Sequence, residues 1–211
     1  MLVEGDRKIK LILASASPRR KKILELLKLD FKVIKPQNYI EKQFNNPYIM
    51  VVENSIIKAK SVYNYLKKQN FKEHDPGHVN EFLVVAFDTI VYINRRYLGK
   101  PVDRKQAIEF LNILSGKVHK VLSGVCVLES VSGNYISDAE STRVKFRKLT
   151  LDEIKRYLDK ENVLDKAGAY NIFGYGSLLV EKINGCFYNV AGIPVYKFLN
   201  LLKKFGFNII G

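Results

Sequence analysis

LILASASPRRKKILELL, residues 11–27, is the stretch on which the fold turns. Leu11, Ile12 and Leu13 form an apolar run suited to a buried strand. Ser17 followed by Pro18 predicts an N-cap with proline at the first helical position. Ile23, Leu24 and Leu27 supply the apolar face of the helix. The chain therefore runs strand, tight turn, helix, which is how an α/β unit begins. Arg19, Arg20, Lys21 and Lys22 crowd the first helical turn. A helix start already carries about half a positive charge and favours acids, not bases. A strand-to-helix turn whose amides point outward is an anion site. Ser15 and Ser17 add hydroxyl donors, and arginines grip phosphate oxygens in pairs. The turn thus predicts phosphate binding. The alternative is a solvated basic helix end, tolerated at about 0.3–1 kcal/mol per charge. It is not a Walker A loop, because GxxxxGK[ST] is absent.

Outward from that unit, residues 31–36 alternate as a second strand, and residues 36–47 read as a polar loop. Ile49, Val52, Ile56, Ala59, Tyr63 and Leu66 recur at spacings of three and four, predicting an amphipathic helix over 48–66. Residues 67–81 are polar and read as a surface insertion. FLVVAF (82–87) is a continuous apolar run, as in a strand buried on both faces. Asn94-Arg95 predicts a hairpin turn, and 103–113 a helix. Residues 117–129 and 135–148 predict two long antiparallel strands around Gly133-Asn134. Thr150 with Glu153 three residues on is a capping-box pattern. A strand at 178–183 and a helix opened by Pro194 close the chain. The fold class is α/β with a mixed sheet flanked by helices, parallel crossovers first and a meander later.

The totals fit one domain over 1–211 with room for two lobes: 211 residues, 47% hydrophobic. No apolar run reaches the roughly 18 residues of a membrane helix. MLVEGDRKIKL lacks the apolar core of a signal peptide. Cys126 and Cys186 lie far apart, outside any Cys-x-x-Cys pair, and predict buried free thiols in a reducing compartment. His74, His78 and His119 have no ligand-like neighbours, which argues against zinc. The net charge of +14 suits a polyanionic partner such as nucleic acid. Its dispersal through KKILELLK, YLKKQNFK and LLKKF favours a solubilising surface instead.

Asp88 interrupts an apolar run in VVAFDTIV, at or near an expected strand end. A carboxylate there is costly unless it is paired or holds a metal. Lys100, in LGKP, ends the expected hairpin; with Asp88 and the basic turn it is a candidate for one cleft at the strands' carboxyl ends. Glu41 in YIEKQ and Lys58 in NSIIKAK are further candidates. Residues 165–194 hold five glycines, which either let backbone approach a ligand or form plain loops.

These motifs, from Lys10 to Leu202, resemble the Maf family of nucleoside triphosphate pyrophosphatases, relatives of the inosine triphosphate pyrophosphatases. LASASPRR is similar to the family's N-terminal signature and ENSIIKAK to its Lys-Ala helix. AFDTIV stands where the family has Gly-Ala-Asp-Thr-[hydrophobic]-Val. LGKP, LSGKVH, DKAGAYNIFG and INGCFYNVAGIP follow in the family's order. The resemblance implies a strongly twisted mixed sheet with a cleft, and hydrolysis of a nucleoside triphosphate to the monophosphate and pyrophosphate. It implies a divalent cation, magnesium first and manganese as the alternative, held by Asp88 and Glu41. Asp88 would accept the proton of the attacking water, with Glu41, Lys58 and Lys100 beside it. Ser15, Ser17 and Arg20 would contact phosphate. A cytoplasmic enzyme with no membrane partner is expected; a monomer and a homodimer both stay open, and nucleic acid is less favoured.

Base choice in the family follows three positions, here Arg19, Thr89 and Phe173. Arg19 and Thr89 match the subgroup preferring dTTP and UTP, whereas Phe173 stands in place of its glutamine. Glutamine reads a pyrimidine edge with a donor and an acceptor; phenylalanine only stacks or packs. Loosened discrimination is therefore expected. In AFDT, Ala86 or Phe87 replaces the family's glycine, which predicts crowding. Two other readings remain: a catalytically weak nucleotide- or nucleic-acid-binding regulator of the septum-formation type, and a 7-methyl-GTP pyrophosphatase, which Arg19 disfavours.

Overall fold

A computed structural model describes residues 2–4, 7–69 and 81–209. The strands pair in the order β1-β2-β4-β6-β7-β8, with β3 beside β2 and β5 beside β4. They are β1 (Leu2–Glu4), β2 (Arg7–Ala14), β3 (Phe31–Ile34), β4 (Phe82–Ile93), β5 (Arg96–Leu98), β6 (Val118–Glu129), β7 (Tyr135–Phe146) and β8 (Val180–Asn184). Pairing is parallel for β2 with both β3 and β4. It is antiparallel for β1–β2, β4–β5 and β7–β8. The mixed α/β class holds. Contacts divide the chain into two compact units, which β4, β6 and β7 each run through.

The first unit takes the chain up to Asp88, then Gly124–Ala139 and Ile193 onward. Helix α1 (Pro18–Leu26) links β2 to β3, and α2 (Pro47–Lys68) precedes β4. The Asn46 side chain accepts from the amides of Tyr48 and Ile49, with Pro47 at the helix start, so Asn-Asn-Pro is a cap as well as a loop end. On the face turned to α2, Ile12 and Ala14 of β2, Phe82, Val84 and Ala86 of β4, and Cys126 and Leu128 of β6 pack against Ile56, Ala59, Val62 and Leu66. Alternation along β4 turns Phe87 the other way. Its ring is fully buried, edge-on to Phe198 of α6 (Val195–Lys204), with centroids 5.7 Å apart. The crowding expected of Phe87 is therefore not on the α2 side. Gly124 lets α2 lie against β6, because a Cβ there would stand 2.1 Å from the Val51 carbonyl oxygen.

The second unit takes residues Thr89–Ser123 and Glu140–Gly192. Asn94 and Arg95 both have positive φ, 48° and 60°, and turn β4 into β5 as a tight hairpin. Asp103 caps α3 (Arg104–Leu114). Thr150 and Glu153 close the expected capping box on α4 (Leu151–Lys160). The glycine-rich stretch forms two 3₁₀ turns (Ala167–Ala169 and Gly174–Leu179) before β8 and the short α5 (Phe187–Val190).

Four expectations need correction. Asp88 is not near a strand end, because β4 runs on through the β-branched residues that follow it. Cys126 is buried but Cys186 is only half-buried; both are free thiols. The expected insertion at 67–81 begins inside α2, whose last residue is Lys68, and residues 70–80 lie outside the described residues, as do His74 and His78. Ser17 caps α1 by position only: its side chain makes no cap bond, and its amide donates to Ser15 Oγ at 3.1 Å.

Candidate active site

In the first unit the site is built on β4 and α2. Phe82, Val84, Ala86 and Asp88 share the strand face that meets α2. After three apolar places, the fourth carries a carboxylate. Lys58 stands one helical turn beyond Asn54 on the buried side of α2, and its ammonium donates to Asp88 Oδ1. Both side chains are almost fully buried. The same ammonium lies 2.8 Å from Glu41 Oε1, whose side chain is half-exposed. Glu41 comes from the loop between β3 and α2, as does Tyr39, whose ring centroid is 6.0 Å from Lys58 Nζ. Burial pulls the Lys58 pKa down, but the Asp88 and Glu41 carboxylates outweigh burial and Arg20 together, and it rises above the ordinary value.

Arg20 joins this group from the first turn of α1. Its Nη1 donates to the Phe87 carbonyl at 2.8 Å, and its guanidinium lies 5.8 Å from the Phe87 ring centroid. Desolvation brings its pKa down to about 10, with Arg19 adding to the fall and Asp88 and Glu41 opposing it. Ser15 is buried, and Ser17 is half-buried. Of the four cations opening α1, Arg19 and Arg20 are half-buried, whereas Lys21 and Lys22 are exposed, with Lys21 3.5 Å from Glu25. The first unit thus brings Asp88, Lys58, Glu41 and Arg20 into one charged group.

Two carboxylates converging on one cation are a hard-oxygen donor set. Magnesium is commonly bound by one or two carboxylates together with substrate phosphates. Asp88 and Glu41 therefore fit a divalent ion that arrives with a phosphate chain. Among the described residues no three His, Cys, Asp or Glu side chains converge into an all-protein cage.

Two side chains absent from the sequence reading hold the Glu41 loop to α2. Asn54 Oδ1 accepts from the Lys42 amide at 2.8 Å, and its Nδ2 donates to the Lys42 carbonyl at 3.0 Å. Ser61 Oγ accepts from the Gln37 amide at 3.0 Å and donates to its carbonyl at 2.6 Å. The signal was present in ENSIIKAK: a polar residue on the buried face of an amphipathic helix, one turn before a lysine.

The remaining candidates belong to the second unit. Lys100 is exposed, beyond β5. The half-buried Thr89 bonds through Oγ1 to Ser123 Oγ at 2.8 Å. Ser123 Oγ donates to the Asn189 carbonyl at 3.2 Å. A serine has one hydroxyl proton, and a carbonyl only accepts. With its proton on the Asn189 carbonyl, Ser123 accepts from Thr89. Asn189 is fully buried, and its amide donates to the Val121 carbonyl and Thr142 Oγ1, both at 3.0 Å. The half-buried Phe173 is edge-on to Phe187 at 5.5 Å, and Phe187 is edge-on to Tyr188 at 5.7 Å.

The Maf-like protein family model matches residues 10–205. The chain is 42% identical to a dTTP/UTP pyrophosphatase of Clostridium tetani, over 94% of this chain and 98% of that protein. It is 37% identical to one of Caldicellulosiruptor bescii, over 95% and 97%. It is 41% identical to one of Bdellovibrio bacteriovorus, over 92% and 98%. A HAM1 protein structure from Coxiella burnetii aligns over 66% of this chain and 73% of that one, with a TM-score of 0.44 and 17% identity. With its own motifs in order and relatives matched over nearly their whole length, the chain belongs to the Maf-like protein family.

Proposed function

We propose that this chain hydrolyses nucleoside triphosphates to the monophosphate and pyrophosphate, with preference for dTTP and UTP. The observation that carries the reading is the buried Lys58 ammonium shared by Asp88 and Glu41, with Arg20 beside them. In the reaction, a water oxygen bonds to the α-phosphorus as its bond to the bridging oxygen breaks and pyrophosphate leaves. Asp88 takes the water's proton, and Lys58 holds that carboxylate in place. Arg20, whose Nη1 donates to the Phe87 carbonyl, is assigned to phosphate contact on its motif, where a guanidinium grips phosphate oxygens in pairs. Ser15 and Ser17 are assigned to phosphate contact, and Lys100 to phosphate neutralisation, on their motifs. Asp88 and Glu41 would hold a divalent cation, magnesium or manganese, whose chemistry is to polarise phosphoryl oxygens.

Arg19, Thr89 and Phe173 are assigned to the base. Support for the pyrimidine preference comes from the relatives' activity and from Arg19 and Thr89 matching the pyrimidine subgroup at two of the three positions.

The test is a panel of dTTP, UTP, CTP, purine triphosphates and 7-methyl-GTP, assayed for pyrophosphate release with magnesium. Release led by dTTP and UTP is expected. Release led by 7-methyl-GTP would replace the substrate assignment. No release from any triphosphate, with salt-dependent DNA retention, would make the chain a binding protein.

A further inference from the structure

We propose that Asn54 is a positioning residue that sets Glu41 for divalent-cation binding, an inference that rests on reading Glu41 as a ligand carboxylate. Asn54 and Lys58, one turn apart on the same face of α2, hold consecutive residues of one loop. Lys58 meets the Glu41 carboxylate at 2.8 Å, and Asn54 takes both backbone groups of Lys42. The ion pair alone is a loose hold, because the Glu41 side chain is 51% exposed and a solvated pair fixes a long side chain weakly. The Asn54 contact is of another kind. Its amide is 2% exposed and makes paired bonds at 2.8 and 3.0 Å. It fixes the backbone one residue from Glu41, so the glutamate reaches the ammonium it shares with Asp88 from a set origin. Ser61 repeats the device at Gln37, farther from Glu41. The loop is thereby fastened to the helix that carries Lys58, and the two carboxylates stay converged without a ligand's help. Lys42 is an exposed residue, so water can approach the loop when Asn54 is truncated, and melting temperatures report whether the variant keeps its fold.

The test compares Asn54→Ala, Ser61→Ala and Glu41→Gln with the parent. Mn2+ is titrated against each protein, alone and with the α,β-methylene analogue of dTTP, and free ion is read by electron paramagnetic resonance. Pyrophosphate release from dTTP is followed across Mg2+ concentrations, and melting temperatures are recorded. Loss of a partner that orients a metal ligand costs about 10–100-fold in metal affinity. Asn54→Ala should weaken Mn2+ binding by about tenfold and raise the half-saturating Mg2+ equally, with kcat at saturating metal within about threefold of the parent. Ser61→Ala should show a smaller shift in the same direction. Unchanged Mn2+ affinity in Asn54→Ala beside weakened binding in Glu41→Gln overturns the positioning role alone. Unchanged affinity in both overturns the ligand reading of Glu41 and this inference with it. A lower melting temperature in Asn54→Ala, with kcat reduced alike at every Mg2+ concentration, makes Asn54 structural and also overturns it.

Discussion

Replacing Asp88 with asparagine tests the centre of the site, because it removes one charge and almost no volume. The Lys58 ammonium would keep its buried position and lose its closest counter-charge. Breaking a buried ion pair costs about 3–5 kcal/mol when the remaining charge has no other partner. Here Glu41 stays at 2.8 Å and the new amide oxygen still accepts from the ammonium. The expected loss is therefore lower, about 2–3 kcal/mol, between the buried value and the 0–1 kcal/mol of an exposed pair. The pH sign follows from the raised pKa of Lys58. The pair's contribution is fully present below the ordinary value of 10.5 and is lost as pH rises through the folded value. Asp88→Asn should move that alkaline limb to lower pH, since burial then outweighs Glu41. Catalysis should fall much further than stability, by about 10²–10⁴-fold, if the carboxylate accepts the water's proton. Chemical denaturation gives the first quantity, pyrophosphate release the second, and calorimetry with a non-hydrolysable triphosphate shows that the nucleotide still binds. Adding Lys58→Met should recover most of the stability and none of the activity. Activity of Asp88→Asn within about threefold of the parent would refute the reasoning, since a lost general base cannot cost so little.

Three further predictions concern other parts of the chain. Arg20→Ala should raise KM for the triphosphate by about 10–100-fold, the worth of a charge-assisted hydrogen bond, whereas exposed Lys21→Ala should change it little; equal effects would reduce the site to diffuse electrostatics. Phe173→Gln should sharpen the kcat/KM preference for dTTP and UTP over CTP by about tenfold or more, the equivalent of one hydrogen bond, and an unchanged ratio would remove Phe173 from base choice. His119 is buried, with Nε2 2.9 Å from the Tyr170 hydroxyl, and desolvation lowers its pKa from 6.5 to about 4. The neutral imidazole thus contributes stability that is fully present above pH 6.5 and lost as pH falls through about 4, about 3 kcal/mol in all. Denaturant unfolding of parent and His119→Gln across that range checks this, and parallel pH profiles would refute it.

What the sequence made legible was local. Ser17-Pro18, Asn94-Arg95 and the Thr150–Glu153 box each name their structure within a few residues, because turns and caps are decided by neighbouring backbone. Asp88 was legible as an expensive charge in an apolar run, but not as a residue inside a strand. Its cost is met by Lys58, thirty residues away in sequence, and periodicity carries no sign of such a partner. For Asn54 the sequence shows a polar residue on a buried helix face but not its partner, and for Ser61 it shows neither. Their amide and hydroxyl suit water equally well, and only the path of the Glu41 loop gives them backbone to hold. Ser123 is a smaller case: a serine in an apolar strand gains meaning only beside Thr89 and the Asn189 carbonyl.

The four cations that open α1 separate into two kinds once their surroundings are known. Lys21 and Lys22 are exposed, and charges of that sort are screened over about 8–10 Å at ordinary salt. Arg19 and Arg20 are half-buried, at a helix end that adds positive potential of its own. Desolvation lowers the Arg20 pKa to about 10, and Arg19 adds to the fall while Asp88 and Glu41, which both engage Lys58, oppose it. A guanidinium under partial burial beside a second cation carries a desolvation cost, and an anion brought alongside reduces it. The placement of Arg19 and Arg20 at the start of a helix therefore suits a substrate that carries several negative charges.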